Sequence, residues 1–206
     1  MRLTAAALAV LLGTGTAMAA PSHGLSTFGD LKYPADFAHF DFVNPAAPKG
    51  GRLALIGPVA NNTFDSFNGY ILKGDPAQGL ALLFDSLMTR ANDEPDAVYG
   101  LVAKSADLAA DRKSIRFELR PEAKFSDGSA LTAEDVCDSF RLLKAHAIET
   151  LRITIRDAKT CDVLGTHELR YRFTGDKTRD LPLTVAKLPI FSKAYYAKVD
   201  FTRTTL

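Results

Sequence analysis

The segment Ser114-Ile-Arg-Phe-Glu-Leu-Arg120 alternates apolar and charged residues without a break. This period of two predicts a β-strand with one buried face and one solvated face. Pro121 ends the strand, and Asp127-Gly128 predicts a turn soon after it. A second periodic segment follows directly.

That second segment begins at Leu131-Thr-Ala-Glu-Asp135 and predicts a helix. Thr132 is the expected N-cap, and Asp135, three residues later, resembles the acidic member of a capping box while favouring the helix dipole. One face of the helix is apolar, which predicts burial against the strand; its residues are Val136, Phe140 and Leu143.

Outward from this centre the signals are weaker. Residues from Ala20 to Gly51 are rich in Pro, Asp and aromatic residues and show no sustained period, which indicates an extended segment wrapped on the body. The residues from 181 to 191 are apolar without a decisive period. The other predicted elements are, in chain order, a short strand over 52–56, a loop over 57–74, a helix over 77–89, and strands over 153–163 and 168–173.

The N-terminus is typical of a secretory signal peptide. Met1-Arg2 is basic, Leu3 to Leu12 is mostly apolar, and Ala17-Met18-Ala19 fits a cleavage site after Ala19. The alternative is a membrane anchor, but the apolar run is shorter than the roughly 20 residues that span a bilayer. We therefore expect residues 1–19 to be a signal peptide and the exported chain to begin at Ala20, with no membrane span after cleavage.

Composition excludes some partners and permits a core. The chain carries a net charge of +1 over 206 residues, so its charge gives no argument for binding nucleic acid or an anionic membrane. Its 47% hydrophobic content is enough to bury a core.

The two cysteines of the chain, Cys137 and Cys161, leave two interpretations open. Cys137 lies in the first turn of the predicted helix, and Cys161 shares one face of a predicted strand with Val163. If Val163 marks a buried face, both sulfurs point between helix and sheet. Export favours a disulfide, whereas the alternative is two small buried hydrophobic residues.

No pattern indicates catalysis, a metal site or a cofactor. The sequence has no G-x-S-x-G nucleophile elbow, no H-E-x-x-H and no phosphate-binding loop. The four histidines are scattered, and neither cysteine has the spacing of a zinc ligand. We therefore expect a binding protein and not an enzyme.

The centre of the chain resembles the family 5 extracellular solute-binding proteins, the oligopeptide, dipeptide and nickel class. The resemblance is specific because its parts occur together and in order. These parts are Leu101-Val-Ala-Lys-Ser105, Ser114-Ile-Arg-Phe-Glu-Leu-Arg-Pro121, Ala123-Lys-Phe-Ser-Asp-Gly128, Leu131-Thr-Ala-Glu-Asp-Val136 and Ser139-Phe140.

The flanking segments are similar to the branch of this family associated with the uptake of peptides and microcin C. The resemblance covers nearly all of the chain after residue 19. Its segments are Leu31-Lys-Tyr-Pro-Ala-Asp-Phe37, His39-Phe-Asp-Phe-Val-Asn-Pro45, Pro48-Lys-Gly-Gly51, Phe64-Asp-Ser-Phe-Asn68, Asp180-Leu-Pro-Leu183 and Leu188-Pro-Ile-Phe-Ser-Lys-Ala-Tyr-Tyr196.

This resemblance implies an α/β (mixed α+β) fold of the type II periplasmic binding proteins, whose two lobes close on a ligand. Residues 20–206 would form most of lobe I, without lobe II or the strands that return to lobe I. The implied function is periplasmic capture of oligopeptides, including peptide antibiotics, by a monomer that delivers them to an inner-membrane ABC permease. The alternatives are a secreted hydrolase built on the same lobe and a truncated gene product without function.

By the same resemblance, the loop after the first strand faces the cleft between the lobes. Amide and hydroxyl groups there suit the polar atoms of a peptide backbone, and aromatic rings suit its side chains. The alternative is a surface loop tied only to neighbouring backbone. The predicted ligand-binding residues are Phe64, Asp65, Ser66, Phe67 and Asn68.

Overall fold

The computed structural model describes residues 20–52, residue 54, residues 64–175 and residues 179–204. The predicted signal peptide and most of the predicted strand over 52–56 lie outside the described residues. The strands are β1 Gly24–Ser26, β2 Met88–Arg90, β3 Ala97–Gly100, β4 Ala103–Leu108, β5 Ser114–Leu119, β6 Ala158–Gly165 and β7 Glu168–Phe173. The helices are α1 Ala133–His146, α2 Glu149–Thr154, α3 Leu181–Ala186 and α4 Lys193–Tyr196, together with a 3-10 helix over Leu80–Leu83.

The larger sheet is built around the alternating segment that the sequence marks most clearly. β5 lies inside this sheet, whose order is β4-β5-β7-β6 with every pair antiparallel. The three apolar residues of β5 are fully buried, which confirms the prediction. Because alternate side chains of a strand face opposite sides, the charged residues of β5 remain on the other face.

Helix α1 covers the apolar face of this sheet. Val136, Phe140 and Leu143 are all buried, as predicted, and the Phe140 ring meets Tyr171 of β7 edge to face at 5.2 Å between centroids. The N-terminus of α1 is also confirmed: the backbone N–H of Thr132 donates to Asp135 Oδ2 at 2.9 Å. Within the described part of the chain, no helix has the length and apolarity needed to cross a bilayer.

The predicted wrapping of the N-terminal segment is confirmed. The segment contributes β1 to a small antiparallel sheet of order β1-β3-β2 and then packs its aromatic residues on β3. Tyr33, Phe37 and Phe40 lie against Tyr99, with ring centroids 5.3 to 5.7 Å from that of Tyr99. This aromatic cluster holds the irregular segment on the sheet in place of regular backbone pairing.

The hydroxyl of Tyr99 connects the N-terminal segment to the turn before β3. It donates to Glu94 Oε2 at 2.6 Å and accepts from the backbone N–H of Tyr33 at 3.2 Å. Burial, together with the Glu94 carboxylate, raises the pKa of Tyr99 to about 12, so the hydroxyl remains protonated at neutral pH. Two hydrogen bonds, one buried and one partly buried, therefore depend on one oxygen atom.

Replacing Tyr99 with phenylalanine is expected to lower the free energy of unfolding by about 1–2 kcal/mol, because the buried N–H of Tyr33 loses its acceptor. Urea denaturation followed by circular dichroism measures the change. Tyr195→Phe is the matched control, since Tyr195 is half exposed and its hydroxyl forms no hydrogen bond with the described residues. Equal stability of the two variants would contradict a role for the Tyr99 hydroxyl.

The predicted helix over 77–89 is wrong. The chain forms only the 3-10 helix Leu80–Leu83 there, and Met88 already belongs to β2. Leu82 is 90% exposed, whereas Leu87 and Met88 are buried in the core beside β3. The helical spacing predicted one apolar face, but the residues of that face have different surroundings. Leu83 is 72% exposed, whereas Leu87 and Met88 enter the core.

The predicted strand over 153–163 begins too early. Residues Glu149–Thr154 form helix α2, and β6 starts at Ala158. The inference that Val163 marks a buried face is also wrong, because Val163 is 43% exposed at the edge of the sheet. The predicted strand over 168–173 is confirmed as β7.

Cys137 and Cys161 are joined by a disulfide in the structure, with their Cα atoms 5.2 Å apart. Cys137 is fully buried in α1, and Cys161 is partly exposed in β6. This separation lies in the range that a disulfide requires. The bond fixes the first half of α1 to the outermost strand of the larger sheet.

Candidate ligand-binding groove

A groove of about 730 Å³ lies where four segments of the chain meet. They are the loop containing Phe67, the 3-10 helix with the residues after it, the turn after β5, and the segment leading into α4. We call it the aromatic groove. Its lining residues are Phe67, Leu83, Phe84, Asp85, Lys124, Phe125, Ser126, Asp127, Leu131, Ile190, Phe191, Ser192, Tyr195 and Tyr196.

Phe191 forms the base of the aromatic groove. Its ring meets those of Tyr70, Phe84, Tyr196 and Phe201 edge to face, with centroids 5.1 to 5.7 Å apart. Edge-to-face pairs of this kind contribute energy beyond their buried area. Five rings from distant parts of the chain therefore pack together at the base of the groove.

Helix α1 holds that base in position through its first two turns. Ser139 Oγ accepts the backbone N–H of Phe191 at 2.7 Å and donates to the carbonyl of Asp135 at 2.7 Å. Asp135 itself uses Oδ1 to accept the N–H of Lys193 at 3.0 Å. Asp135 therefore has two tasks: one carboxylate oxygen caps its own helix and the other anchors the start of α4.

Sequence reasoning assigned Asp135 only to the helix cap. Its second contact joins residues 58 positions apart, and the Ser139 contact spans 52 positions. The available signal was that Asp135 and Ser139 are polar residues in the same helix as a buried stripe, and buried polar groups require partners.

Ser66 and Asn68, two of the five predicted ligand-binding residues, hold the loop together. Ser66 is 0% exposed, and its hydroxyl accepts the N–H of Asn68 at 3.0 Å. Asn68 is also buried; its Nδ2 donates to the carbonyl of Phe201 at 2.7 Å and its Oδ1 accepts the N–H of Tyr70 at 3.0 Å. Their polar atoms are therefore occupied by the chain's own backbone.

The other three predicted residues lie at the surface. Asp65 Oδ1 accepts the backbone N–H of Asp75 at 2.6 Å and so closes the loop. Phe64 and Phe67 are about half exposed and contact each other with ring centroids 5.4 Å apart. Of the five, Phe67 reaches the aromatic groove. The two rings are kept at the surface because the polar residues between and beside them are used to fix the backbone.

Charged groups lie on the rim of the aromatic groove. Asp85, Lys124 and Asp127 line it, so its formal charge is −1. Hydrogen bonds from the hydroxyl and backbone N–H of Ser129 lower the pKa of the Asp127 carboxyl below its usual value. An apolar base with both signs of charge at the rim suits a ligand that combines apolar groups with charged ends.

Two tyrosines complete the chemistry of the base. Burial raises the pKa of Tyr70 to about 12 and also raises that of Tyr196. Both phenols therefore remain neutral at physiological pH and behave as apolar rings with a hydroxyl. The residues that the structure describes contain no group of histidine, cysteine or carboxylate side chains arranged to hold a metal ion.

Two solved structures, each bound to a small ligand, have a similar fold. NikZ from Campylobacter jejuni in complex with Ni(L-His) matches 69% of this chain and 28% of its own at 18% identity, with a TM-score of 0.54. A dipeptide-binding protein from Pseudoalteromonas sp. SM9913 in complex with Met-Leu matches 64% and 30% at 18% identity, with a TM-score of 0.52. The predicted α/β fold of type II binding proteins is therefore confirmed.

Relatives by sequence are more similar. The peptidoglycan-binding protein YepA of Agrobacterium fabrum is 39% identical over 89% of this chain, and the probable peptide-binding protein YejA of the same organism is 38% identical over 84%. YejA of Escherichia coli is 35% identical over 85%. The chain spans about a third of the length of these relatives, with 28% to 31% of each covered.

The family model described as bacterial extracellular solute-binding proteins, family 5, middle region, matches residues 97–205. That range runs from β3 through the larger sheet and α1 to the segment that forms the base of the aromatic groove. It contains the strand, turn and capped helix on which the resemblance in the sequence rests. The chain belongs to the bacterial extracellular solute-binding proteins of family 5.

Proposed function

We propose that this chain is part of a substrate-binding component of an ABC importer that captures oligopeptides and delivers them to an inner-membrane permease. The signal peptide predicted over 1–19 would place it in the periplasm, as a monomer. Peptide antibiotics such as microcin C are a narrower ligand class that the branch resemblance implies. Family membership and the names of the relatives support the general role of peptide binding.

The observation that carries the proposal is the aromatic groove with charges on its rim. A peptide offers apolar side chains, an ammonium group and a carboxylate, and the groove offers aromatic rings, two aspartates and a lysine. Aromatic surfaces with a few placed polar groups are typical of small-ligand sites. The half-exposed rings of Phe64 and Phe67 extend this surface beyond the groove itself.

Within this proposal, the five residues predicted from the sequence have different roles. Phe64 and Phe67 contact ligand side chains. Asp65, Ser66 and Asn68 position those rings by closing the loop and tying it to the backbone of residues 201–204. Loss of Ser66 or Asn68 would therefore reduce binding by displacing the loop.

The tripeptide Ala-Phe-Ala tests the proposal by saturation-transfer NMR with the chain. We expect weak binding near the millimolar range, because a micromolar site provides about 8 kcal/mol and the resemblance assigns half of the contacts to a second lobe. Phe67→Ala should weaken the affinity for the tripeptide about tenfold, because it removes ring contacts worth roughly 1–1.5 kcal/mol.

Phe28→Ala is the matched control, since Phe28 is exposed and does not line the groove. An equal loss in both variants, or no signal from the peptide at any concentration, would contradict the proposal. Cleavage of the tripeptide during the measurement would instead support the hydrolase alternative.

Peptidoglycan fragments are a second candidate ligand, favoured by the similarity to the peptidoglycan-binding protein YepA. Such fragments combine a peptide with amino sugars, and sugar rings also pack on aromatic side chains. The same NMR experiment separates the two by comparing a stem tetrapeptide with its disaccharide-linked form. Stronger contact to the sugar protons than to the peptide protons would favour the peptidoglycan candidate.

A further inference from the structure

The two edges of the larger sheet differ. At the β4 edge, Ser22 and Ala106 exchange backbone hydrogen bonds, each with a donor-acceptor distance of 2.8 Å. At the other edge, β6 pairs with β7 and with no further strand among the described residues. An open edge presents backbone donors and acceptors that can pair with another chain.

The register of β7 identifies the groups that face outward. Phe173 donates its N–H to Lys113 on the β5 side, and Thr174 donates to Asp157 on the β6 side, both at 2.8 Å. The backbone N–H and C=O groups of even-numbered residues in β7 therefore point towards β6. Thr160 and Asp162 pair with two of these residues, so their backbone groups point back towards β7. It follows that the backbone N–H and C=O groups of Cys161 and Val163 point away from the sheet.

A second groove, of about 420 Å³, lies along this edge between β6 and α1. We call it the edge groove. It is separate from the aromatic groove and has no residue in common with it. Its lining residues are Phe140, Arg141, Lys144, Ala145, Lys159, Thr160, Cys161 and Asp162.

The edge groove is basic. It contains three cationic side chains and one carboxylate, for a formal charge of +2. Asp162 is neutralised by Arg172 at 2.7 Å, and Arg141 contacts Asp138 at 3.1 Å. Lys144 and Lys159 form no ion pair in the described part of the chain, although Asp157 favours the charged form of Lys144 from a longer distance.

Lys144 also limits which part of β6 is free to pair with another strand. Its Nζ donates to the carbonyl of Ala158, the first residue of β6, and lies over the Phe140 ring. This contact closes the N-terminal end of the strand and leaves the edge open from Cys161 onward. The disulfide holds the same stretch of β6 against α1, so the open edge is fixed in position.

We propose that the edge groove binds an acidic segment of a partner protein, which adds to β6 as an extended strand. Backbone hydrogen bonds to Cys161 and Val163 would supply affinity, as in other cases of strand addition. Acidic side chains facing Lys159 and Arg141 would select the partner and speed its encounter.

A fluorescein-labelled octapeptide of alternating glutamate and valine tests this with the chain at low salt. We expect a saturable rise in anisotropy that weakens as salt is added. An octapeptide of alternating lysine and valine should not bind. Two further glutamate-valine peptides carry N-methyl groups, one on its valine amides and the other on its glutamate amides. Because N-methylation removes the backbone donor, and alternate amides of a strand point to opposite sides, at least one of these peptides should lose binding.

Lys159→Glu should weaken binding roughly fivefold, the scale expected for a rim charge. Lys198→Glu is the matched control: it makes the same change in charge at an exposed lysine outside the edge groove and should bind as the unmodified chain does. These variants leave the backbone of β6 unchanged, so a folding defect is not expected to mask the result.

If both N-methylated peptides bind as tightly as the unmodified peptide, strand addition is overturned. Equal affinity of Lys159→Glu and Lys198→Glu would overturn the choice of an acidic partner. Sedimentation velocity of the chain alone tests whether it dimerises through this edge. A dimer that cannot bind the octapeptide would assign the edge to a second copy of the chain and overturn the proposal.

Discussion

Replacing Phe191 with alanine is expected to lower the free energy of unfolding by about 3–5 kcal/mol. Phe191 is 2% exposed and packs against four other aromatic rings, so its removal leaves a cavity that those rings cannot fill without losing their edge-to-face contacts. Urea denaturation measures the loss. The same variant should lose the weak binding of Ala-Phe-Ala, because the base of the aromatic groove collapses.

Phe28→Ala is again the matched control, since it removes the same side chain from a site that is 65% exposed and is expected to change stability by less than about 0.5 kcal/mol. Phe191→Leu separates stability from shape. It keeps most of the buried volume and should recover much of the stability. A loss below about 1 kcal/mol in Phe191→Ala would show that the base of the groove is not part of the folding core.

Removing the disulfide is expected to lower the free energy of unfolding by about 3 kcal/mol, the loop-entropy value for the 24-residue separation of Cys137 and Cys161. The comparison is between the oxidised chain and the Cys137→Ala/Cys161→Ala variant under the same conditions. Adding reductant should lower the stability of the unmodified chain and leave the double variant unchanged.

Mass spectrometry of alkylated, non-reduced chain from the periplasm tests whether the bond forms in the cell. We expect no alkylated thiol at either position, since oxidising compartments favour disulfides. Two alkylated cysteines would contradict the prediction and return the pair to the alternative interpretation of small buried hydrophobic residues.

Strongly periodic segments were predictable from the sequence. β5, β7 and α1 have unbroken alternation or a capped apolar stripe, and local geometry alone turns such patterns into strands and helices. The predicted helix over 77–89 was wrong because its apolar residues have two different surroundings: Leu83 faces outward, while Met88 pairs with β3. Period alone does not say whether an apolar residue has a core to enter.

The candidate site was predictable only in part. The sequence pointed to the loop of Phe64 to Asn68, and it could not divide that loop into exposed rings and buried anchors. Ser66 and Asn68 find their partners at residues 201–204, more than 130 positions away along the chain. No local pattern encodes a contact of that range.

By itself the sequence determined the family, the central strand, the capped helix and the compartment we expect, because each rests on neighbouring residues or on a short ordered motif. Only the tertiary structure decided that Phe191 unites five rings, that Asp135 anchors α4 as well as its own helix, and that β6 is the outermost strand of the larger sheet among the described residues. The physical reason is that burial and pairing are properties of surfaces brought together by folding. A side chain's role is fixed by which distant segment satisfies its hydrogen bonds or covers its apolar atoms.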